Sequence, residues 1–368
     1  MGEAKCDRLM IPGPVPVSPA VLAALAAAPR PHYGPQWAAI WQKVLGQLAT
    51  VFGTSGTVLN IPGTGSAGLD AAINSIINPG DRVLVSVNGY HGNRLAQMAE
   101  SRGADVTRIE AMWGEPVLAE QFIESASAGP SPQLAIVTHV ETSTGIINPV
   151  REIAKAMRSA GALTMVDAVA SLGGTEFQME DWGIDIACAS SQKCLGSTPG
   201  LAQVALSPRA EQAIIERQHS SRSFFLDLAV WLDYRDKWSS WHPYPVTVPT
   251  GTTLALSQAL DELLSDGLPA RFAYFRETGD YLKQRLQEVG LDPLAPASYQ
   301  APVVTAFKVK GGRSDVLNDH LLHQHRIHIG AGFGQLEGRV VRVGHMSRQI
   351  TKIDVDALAE GVADFLRY

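Results

Sequence analysis

Asp185-Ile-Ala-Cys-Ala-Ser-Ser-Gln-Lys193-Cys-Leu-Gly-Ser-Thr-Pro-Gly200 starts as an apolar run and breaks into small residues around one lysine. Asp185 to Ala189 reads as a buried strand and Leu201 to Ser207 as another, so Lys193 falls in a small loop between strands. Upstream, Leu163-Thr-Met-Val-Asp167-Ala-Val169 is a second apolar run carrying a lone carboxylate. An ionised carboxylate in such surroundings costs several kcal/mol unless it finds a partner. An amine and a carboxylate, each at the end of its own buried strand, define the problem the rest of the chain must answer.

The same strand-then-helix rhythm extends outward. Thr57 to Ile61, Arg82 to Val87 and Gln133 to Val140 read as strands. Helices are expected at Pro19 to Ala28, Gln36 to Phe52, Leu69 to Ile77, Asn93 to Arg102 and Val150 to Ala160. Strands continuous in Val, Ile, Leu and Ala, separated by helices, predict an α/β fold with a mostly parallel sheet covered on both faces. Beyond Gly251 the rhythm changes to two long helices, Thr253 to Leu264 and Ala270 to Val289. Short strands at Val303 to Val309 and Val340 to Val343 and a last helix, Ile353 to Leu366, complete a smaller α+β unit. The expected division is a proline-stiffened arm (1–18), a large domain (19–250) and a small C-terminal domain (251–368).

Composition excludes several classes. Of the 368 residues, 45% are hydrophobic and 18% charged, which suits a chain with a large core and not a disordered one. A net charge of −6 with no basic run argues against nucleic acid and anionic membrane as partners. Cys6, Cys188 and Cys194 fit neither a disulfide framework nor a metal spacing; no metal is expected, and a reducing, cytoplasmic setting is. The polar N-terminus does not read as a signal peptide, so none is expected, and the longest apolar run, Val21 to Ala28, is too short to span a bilayer.

Several strand ends carry small polar residues. Gly63-Thr-Gly65-Ser-Ala-Gly68 matches GxGxxG, but the acid expected about twenty residues later is missing: that position falls at Asn88-Gly-Tyr-His91. A nicotinamide oxidoreductase is therefore the weaker reading. Exposed N–H groups at a helix start suit a single phosphate instead, although a ligand-free glycine turn is about as common. His91 could stack on a flat ring, or be an ordinary loop histidine. His139-Val-Glu141-Thr142-Ser-Thr-Gly145 closes a third strand with hydroxyls, which is also plain turn chemistry. Asp167 could cap a helix or pair with an arginine, but no periodic helix begins beside it. A lysine in a small loop between strands can be desolvated and its amine made reactive. Convergence of these ends on one edge of a parallel sheet points to a Schiff-base lysine, Lys193, for pyridoxal 5′-phosphate (PLP), with Asp167 facing the pyridinium nitrogen.

Asp167-Ala-Val-Ala-Ser-Leu-Gly-Gly174 with Ser190-Ser-Gln-Lys193-Cys-Leu-Gly-Ser-Thr-Pro-Gly200 resembles the class V aminotransferases, the alanine–glyoxylate / serine–pyruvate transaminase group in particular. The likeness runs from Ile11-Pro-Gly-Pro through His139-Val-Glu-Thr-Ser-Thr-Gly145 to Val341-Arg342-Val-Gly344. It implies the fold-type I architecture and a homodimer. It also implies that Lys193 carries the cofactor and shuttles the substrate proton, with Asp167 keeping the ring nitrogen protonated. Thr64, Gly65, Ser66 and Gln192 would contact the phosphate, Thr142 the ring hydroxyl, and Val169 the ring. His91 stands where the family stacks Trp or Tyr, and Ser66 where alanine–glyoxylate enzymes often have His. Tyr244 and Thr247 would reach the phosphate of the neighbouring subunit. Arg342, with Gly13 beside it, would bind the substrate α-carboxylate.

The expected activity is transfer of an amino group from a small amino acid (alanine or serine) to a 2-oxo acid (glyoxylate or pyruvate). Related donors such as 2-aminoethylphosphonate, ureidoglycine or pyridoxamine stay open, since the loops at His32-Tyr33-Gly34, His91 and Phe333-Gly-Gln335 depart from the family pattern. A PLP lyase of the cysteine desulfurase kind would need a nucleophilic cysteine on a mobile loop, and no cysteine here sits in one.

Overall fold

The apolar runs become the strands of one sheet. In the computed structural model, which describes residues 7–217 and 223–367, seven strands are β1 (Thr57–Pro62), β2 (Arg82–Val87), β3 (Asp105–Glu110), β4 (Leu134–Thr138), β5 (Leu163–Asp167), β6 (Ile186–Ser190) and β7 (Leu201–Leu206). Their order is β1-β7-β6-β5-β4-β2-β3. β7 runs antiparallel to both neighbours, and every other pairing is parallel. The carboxyl ends of the other six strands therefore share one edge, where ligands collect in open α/β sheets.

Both faces of the sheet are covered, as continuous apolar strands require. One core joins Leu59, Ile61, Val85, Ile136, Met165 and Ile186 to helix α1 (Gly65–Ile76) and helix α2 (Tyr90–Ser101). The other joins Val58, Leu84, Val137 and Val166 to the helices Pro35–Phe52 and Val150–Ser159. Helix α3 (Thr250–Ser265) adds Leu256, Leu260 and Leu263 to that second core. Helix α4 (Leu268–Glu288) instead sends Leu282 and Leu286 into a third core, so the chain passes from one core to the next along these two helices.

The third core lies between α4, α5 (Ser314–His325), α6 (Lys352–Leu366) and a small sheet of β8 (Val304–Lys308), β9 (Gly330–Ala331) and β10 (Val340–Gly344). The N-terminal stretch joins it: Arg8–Leu9 pairs in parallel with Ile327–His328, and Met10 is fully buried there. This ties residues 8–13 to the end of β10, where the Gly344 N–H donates to the Met10 carbonyl.

The differences from the sequence expectations have local causes. β3 is a half-exposed edge strand of sequence Asp-Val-Thr-Arg-Ile-Glu, too polar to read as a strand. The helices Ala119–Ser127, Pro208–Glu216 and Leu228–Lys237, and α5, were likewise not expected. Helix α2 begins three residues earlier than its apolar periodicity suggests. β4 stops at Thr138, and Val140–Glu141 pairs with Ile146–Ile147 in a two-residue hairpin. Cys6 lies outside the described residues, and no described helix is long and apolar enough to cross a membrane.

Candidate active site

The shared strand edge borders a cleft open to solvent, with about 610 Å³ of empty space. It is lined by residues from every neighbouring strand end, Lys193 and Asp167 among them. Asp167 ends β5, and its backbone carbonyl accepts from the His139 N–H at 2.9 Å. Its Oδ1 accepts from the Val169 N–H at 2.9 Å, while Oδ2 has no partner among the described residues. Burial pushes this carboxyl up to about 6, the Val169 hydrogen bond opposing. Ionising this buried carboxyl thus costs roughly 3 kcal/mol more than in water, which a cation facing Oδ2 would offset.

Lys193 follows β6 and shares the cavity. Burial pulls its amine down to about 8, with the Cys194 thiol and the Asp167 carboxyl pulling the other way. The ammonium donates to the Pro12 carbonyl. Gly13, at φ +91, lies against the lysine stem: a Cβ there would come within 2.5 Å of Lys193 Cδ. Only glycine permits that approach, so the N-terminal stretch forms one wall of the lysine's channel.

The start of α1 presents a cradle of free N–H donors suited to an anion. Thr64 is its N-cap, and the N–H groups of Gly65 and Ser66 have no partner among the described residues, as the first helical donors require. A Cβ on Gly65 would strike Val169 at 2.7 Å, so this glycine lets the cradle close on Val169 of the β5 loop. Gln192 lines the same space and accepts from the Ser190 hydroxyl.

His91 enters from the start of α2, where Glu141 explains the early helix start. This fully buried carboxylate accepts from the His91 and Gly92 N–H groups through Oε2 at 3.0 Å each. Its Oε1 accepts from the Ser143 N–H at 3.0 Å and hydroxyl at 2.6 Å. Four donors satisfy a charge that would otherwise be very costly at this depth. His91 Nε2 then meets the Thr142 hydroxyl at 2.9 Å. Burial lowers the His91 proton affinity, with Glu141 opposing.

The cavity thus gathers Thr64, Gly65, Ser66, His91, Thr142, Asp167, Val169, Gln192 and Lys193. Gly13 and Arg342 are not in its lining but touch residues that are: Gly13 lies against Lys193, and Arg342 reaches the Thr142 carbonyl. Arg342 is buried, its Nε donating to the Ala331 carbonyl at 2.6 Å and Nη1 to the Thr142 carbonyl at 3.5 Å. The Phe333 ring lies 4.0 Å from its Cζ. Burial lowers this guanidinium to about 10, so it stays charged at neutral pH. It makes no ion pair among the described residues, which leaves a carboxylate-shaped need at the mouth of the site.

Tyr244 and Thr247 do not line the cavity of their own chain. Tyr244 is fully buried against Trp41 and His242 and donates to the His32 carbonyl, and Thr247 is exposed. The His32–Tyr33 loop packs there as well, away from this cavity. Three features went unread in the sequence: Glu141 as a helix cap, Phe333 over Arg342, and Arg94. Arg94 lines the cavity one helical turn after His91, with a buried Nε that has no hydrogen-bond partner. Its signal was that three-residue spacing, which puts two side chains on one helix face.

The class V aminotransferase family model matches residues 24–358. The chain belongs to the class V aminotransferases. Members of this family depend on PLP, and the orphaned Oδ2 of Asp167, the cradle at Gly65 and the desolvated Lys193 amine fit that group. The chain is 32% identical to the (S)-ureidoglycine–glyoxylate transaminase of Bacillus subtilis, covering 94% of this chain and 87% of the relative. It is 32% identical to the L-aspartate–glyoxylate aminotransferase of Paracoccus denitrificans, covering 92% and 86%. The crystal structure of an alanine–glyoxylate aminotransferase from Nostoc sp. superposes with a TM-score of 0.94 at 33% identity, covering 99% of this chain and 96% of that one. The other readings fare worse. The GxGxxG turn follows edge strand β1 beside antiparallel β7, not a switch point between parallel strands. Cys188 and Cys194 are fully buried; burial pushes Cys194 up to about 12 and Cys188 well above the usual thiol range. Neither is a lyase nucleophile.

Proposed function

We propose that this aminotransferase carries PLP on Lys193 and moves an amino group from a small amino acid to glyoxylate or pyruvate by a ping-pong route. The observation that carries the reading is the pairing in one cavity of a desolvated amine, Lys193, with a buried carboxylate, Asp167, beneath an unpaired buried arginine. When bound, PLP supplies an electrophilic aldehyde and a ring that withdraws electrons. Asp167 holds the proton on the ring nitrogen, and Lys193 Nζ moves the proton on and off the substrate Cα. The donors of Gly65 and Ser66, with Thr64 and Gln192, cradle the phosphate. His91, oriented by its 2.9 Å contact with the Thr142 hydroxyl, would hold the ring. Arg342 orients the α-carboxylate in both half-reactions, with Gly13 closing the lysine side. Phe333, stacked over Arg342 and 4.8 Å from Tyr90 between ring centroids, crowds the carboxylate anchor and favours small side chains.

The same reading makes the protein a homodimer, with Tyr244 and Thr247 facing the partner's phosphate site. The exposed aromatic cluster of Tyr33, Trp238 and Trp241 beside that segment supports it, since such clusters are otherwise uncommon on a monomer's surface. The division into arm (1–18), large domain (19–250) and small domain (251–368), and a reducing, cytoplasmic compartment, belong to it too.

The test is to add a panel of amines to the purified protein and follow its visible spectrum. Alanine or serine should convert the internal cofactor band to that of pyridoxamine phosphate, and glyoxylate or pyruvate should restore it. Conversion by aspartate, ureidoglycine, pyridoxamine or 2-aminoethylphosphonate alone would replace the donor and keep the chemistry. If no band forms and borohydride fixes nothing to Lys193, the reading fails.

A further inference from the structure

A second cluster of chemistry-bearing side chains lies in the C-terminal unit. His320 and His325 belong to α5, and Asp364 to α6, which packs against it. His320 Nε2 is 3.2 Å from Asp364 Oδ2, and His325 Nε2 is 3.4 Å from the same oxygen. One candidate ligand atom from each residue lies within 4.8 Å of the others. Metal bonds of ~2.0–2.1 Å at the tetrahedral angle put neighbouring ligand atoms about 3.4 Å apart, which both measured distances match.

Two further observations point to a ligand. His320 Nε2 is buried and, despite the short approach to Asp364, has no partner with hydrogen-bond geometry. Asp364 makes no ion pair with a lysine or arginine among the described residues: its partners are the two imidazoles. The nearby Arg313 guanidinium stacks 4.4 Å over the Phe365 ring instead. Five residues along a helix are about 140° apart round its axis. Even so, the two rings stand 5.2 Å apart, because His325 is the last residue of α5 before Arg326 turns left-handed.

We propose that His320, His325 and Asp364 bind one divalent transition-metal ion, zinc above all, with water completing the shell. Two imidazole nitrogens and one carboxylate oxygen suit zinc, and nickel or copper(II) among its competitors, better than calcium or magnesium. The ion would staple α5 to α6, away from the cofactor cavity.

The test uses the PLP-loaded protein after chelator treatment and dialysis. Zinc chloride titrated calorimetrically should bind at about one ion per chain, and cobalt(II) should give the visible bands of a tetrahedral site. Saturating zinc should raise the melting temperature by about 3 °C. His320→Ala, His325→Ala and Asp364→Asn should each lower zinc affinity at least tenfold and abolish the cobalt bands. His323→Ala, an exposed histidine on the same helix, should leave both unchanged. Retained cofactor absorbance in every variant reports that the fold is intact. The proposal is overturned if wild type binds no zinc in this range. Equal losses on His323→Ala, or unchanged binding in the three ligand variants, would overturn it as well.

Discussion

His91 Nε2 lies 2.9 Å from Thr142 Oγ1, and the carbonyl of that same Thr142 lies 3.5 Å from Arg342 Nη1. One residue therefore joins the proposed ring-stacking position to the proposed carboxylate anchor 200 positions downstream. Thr142→Val removes the hydroxyl and keeps the shape. It should shift the cofactor absorbance and lower kcat several-fold, a loss of about 1 kcal/mol, the usual worth of one hydrogen bond. An unchanged spectrum would detach His91 from Thr142 in the loaded enzyme.

Removing Arg342 should separate binding from chemistry. Arg342→Ala should cost roughly 3 kcal/mol in kcat/KM for every carboxylate substrate, about a hundredfold, while the visible cofactor band persists. Steady-state kinetics with alanine and with an amine lacking the carboxylate distinguishes the roles. Only the former should suffer.

Lys193→Ala should abolish borohydride fixation and slow turnover by ~10²–10⁴-fold, the usual range for a lost proton-transfer group. In the wild-type apoprotein the amine becomes a free base above its pKa. Because that value is lowered from 10.5 to about 8, cofactor uptake should speed up as pH rises through about 8 and level off well below 10.5. Stopped-flow reconstitution across this range measures it; a midpoint near 10.5 would mean the amine is not desolvated.

Acid stability should depend on two fully buried histidines whose side chains lie outside the cavity lining. His139 bonds Ser171 and His345 bonds Thr305, and burial holds both down to about 3 from 6.5. The unfolded chain binds protons on them first, so stability falls as pH drops from about 6.5 towards 3. The slope is about 1.4 kcal/mol per pH unit for each residue. His345→Gln should flatten that limb in urea melts taken at successive pH values, whatever it does to stability at pH 8.

Glu141→Gln tests the buried cap. It removes the charge that four donors share and should destabilise the protein by ~2–3 kcal/mol in denaturant melts. It should also disturb the cofactor spectrum through His91.

Much of this site was legible in residue order because apolar strands must be buried and their ends must then hold whatever polar groups the sequence places there. Lys193, Asp167 and the Thr64–Ser66 turn each sit directly at such an end, so reading the strands located them. The same logic missed β3, whose exposed edge lets polar residues form a strand. It also missed the start of α2, fixed by a carboxylate fifty residues away. Arg342 was singled out through family resemblance alone. What makes it available is its burial without a counter-ion, set by β9, Phe333 and the Thr142 carbonyl converging from three parts of the chain. His320, His325 and Asp364 show the same limit, because helix packing brings together residues whose spacing carries no signal. Local burial and periodicity are written along the chain; which unpaired groups face each other is decided by packing between elements far apart in it.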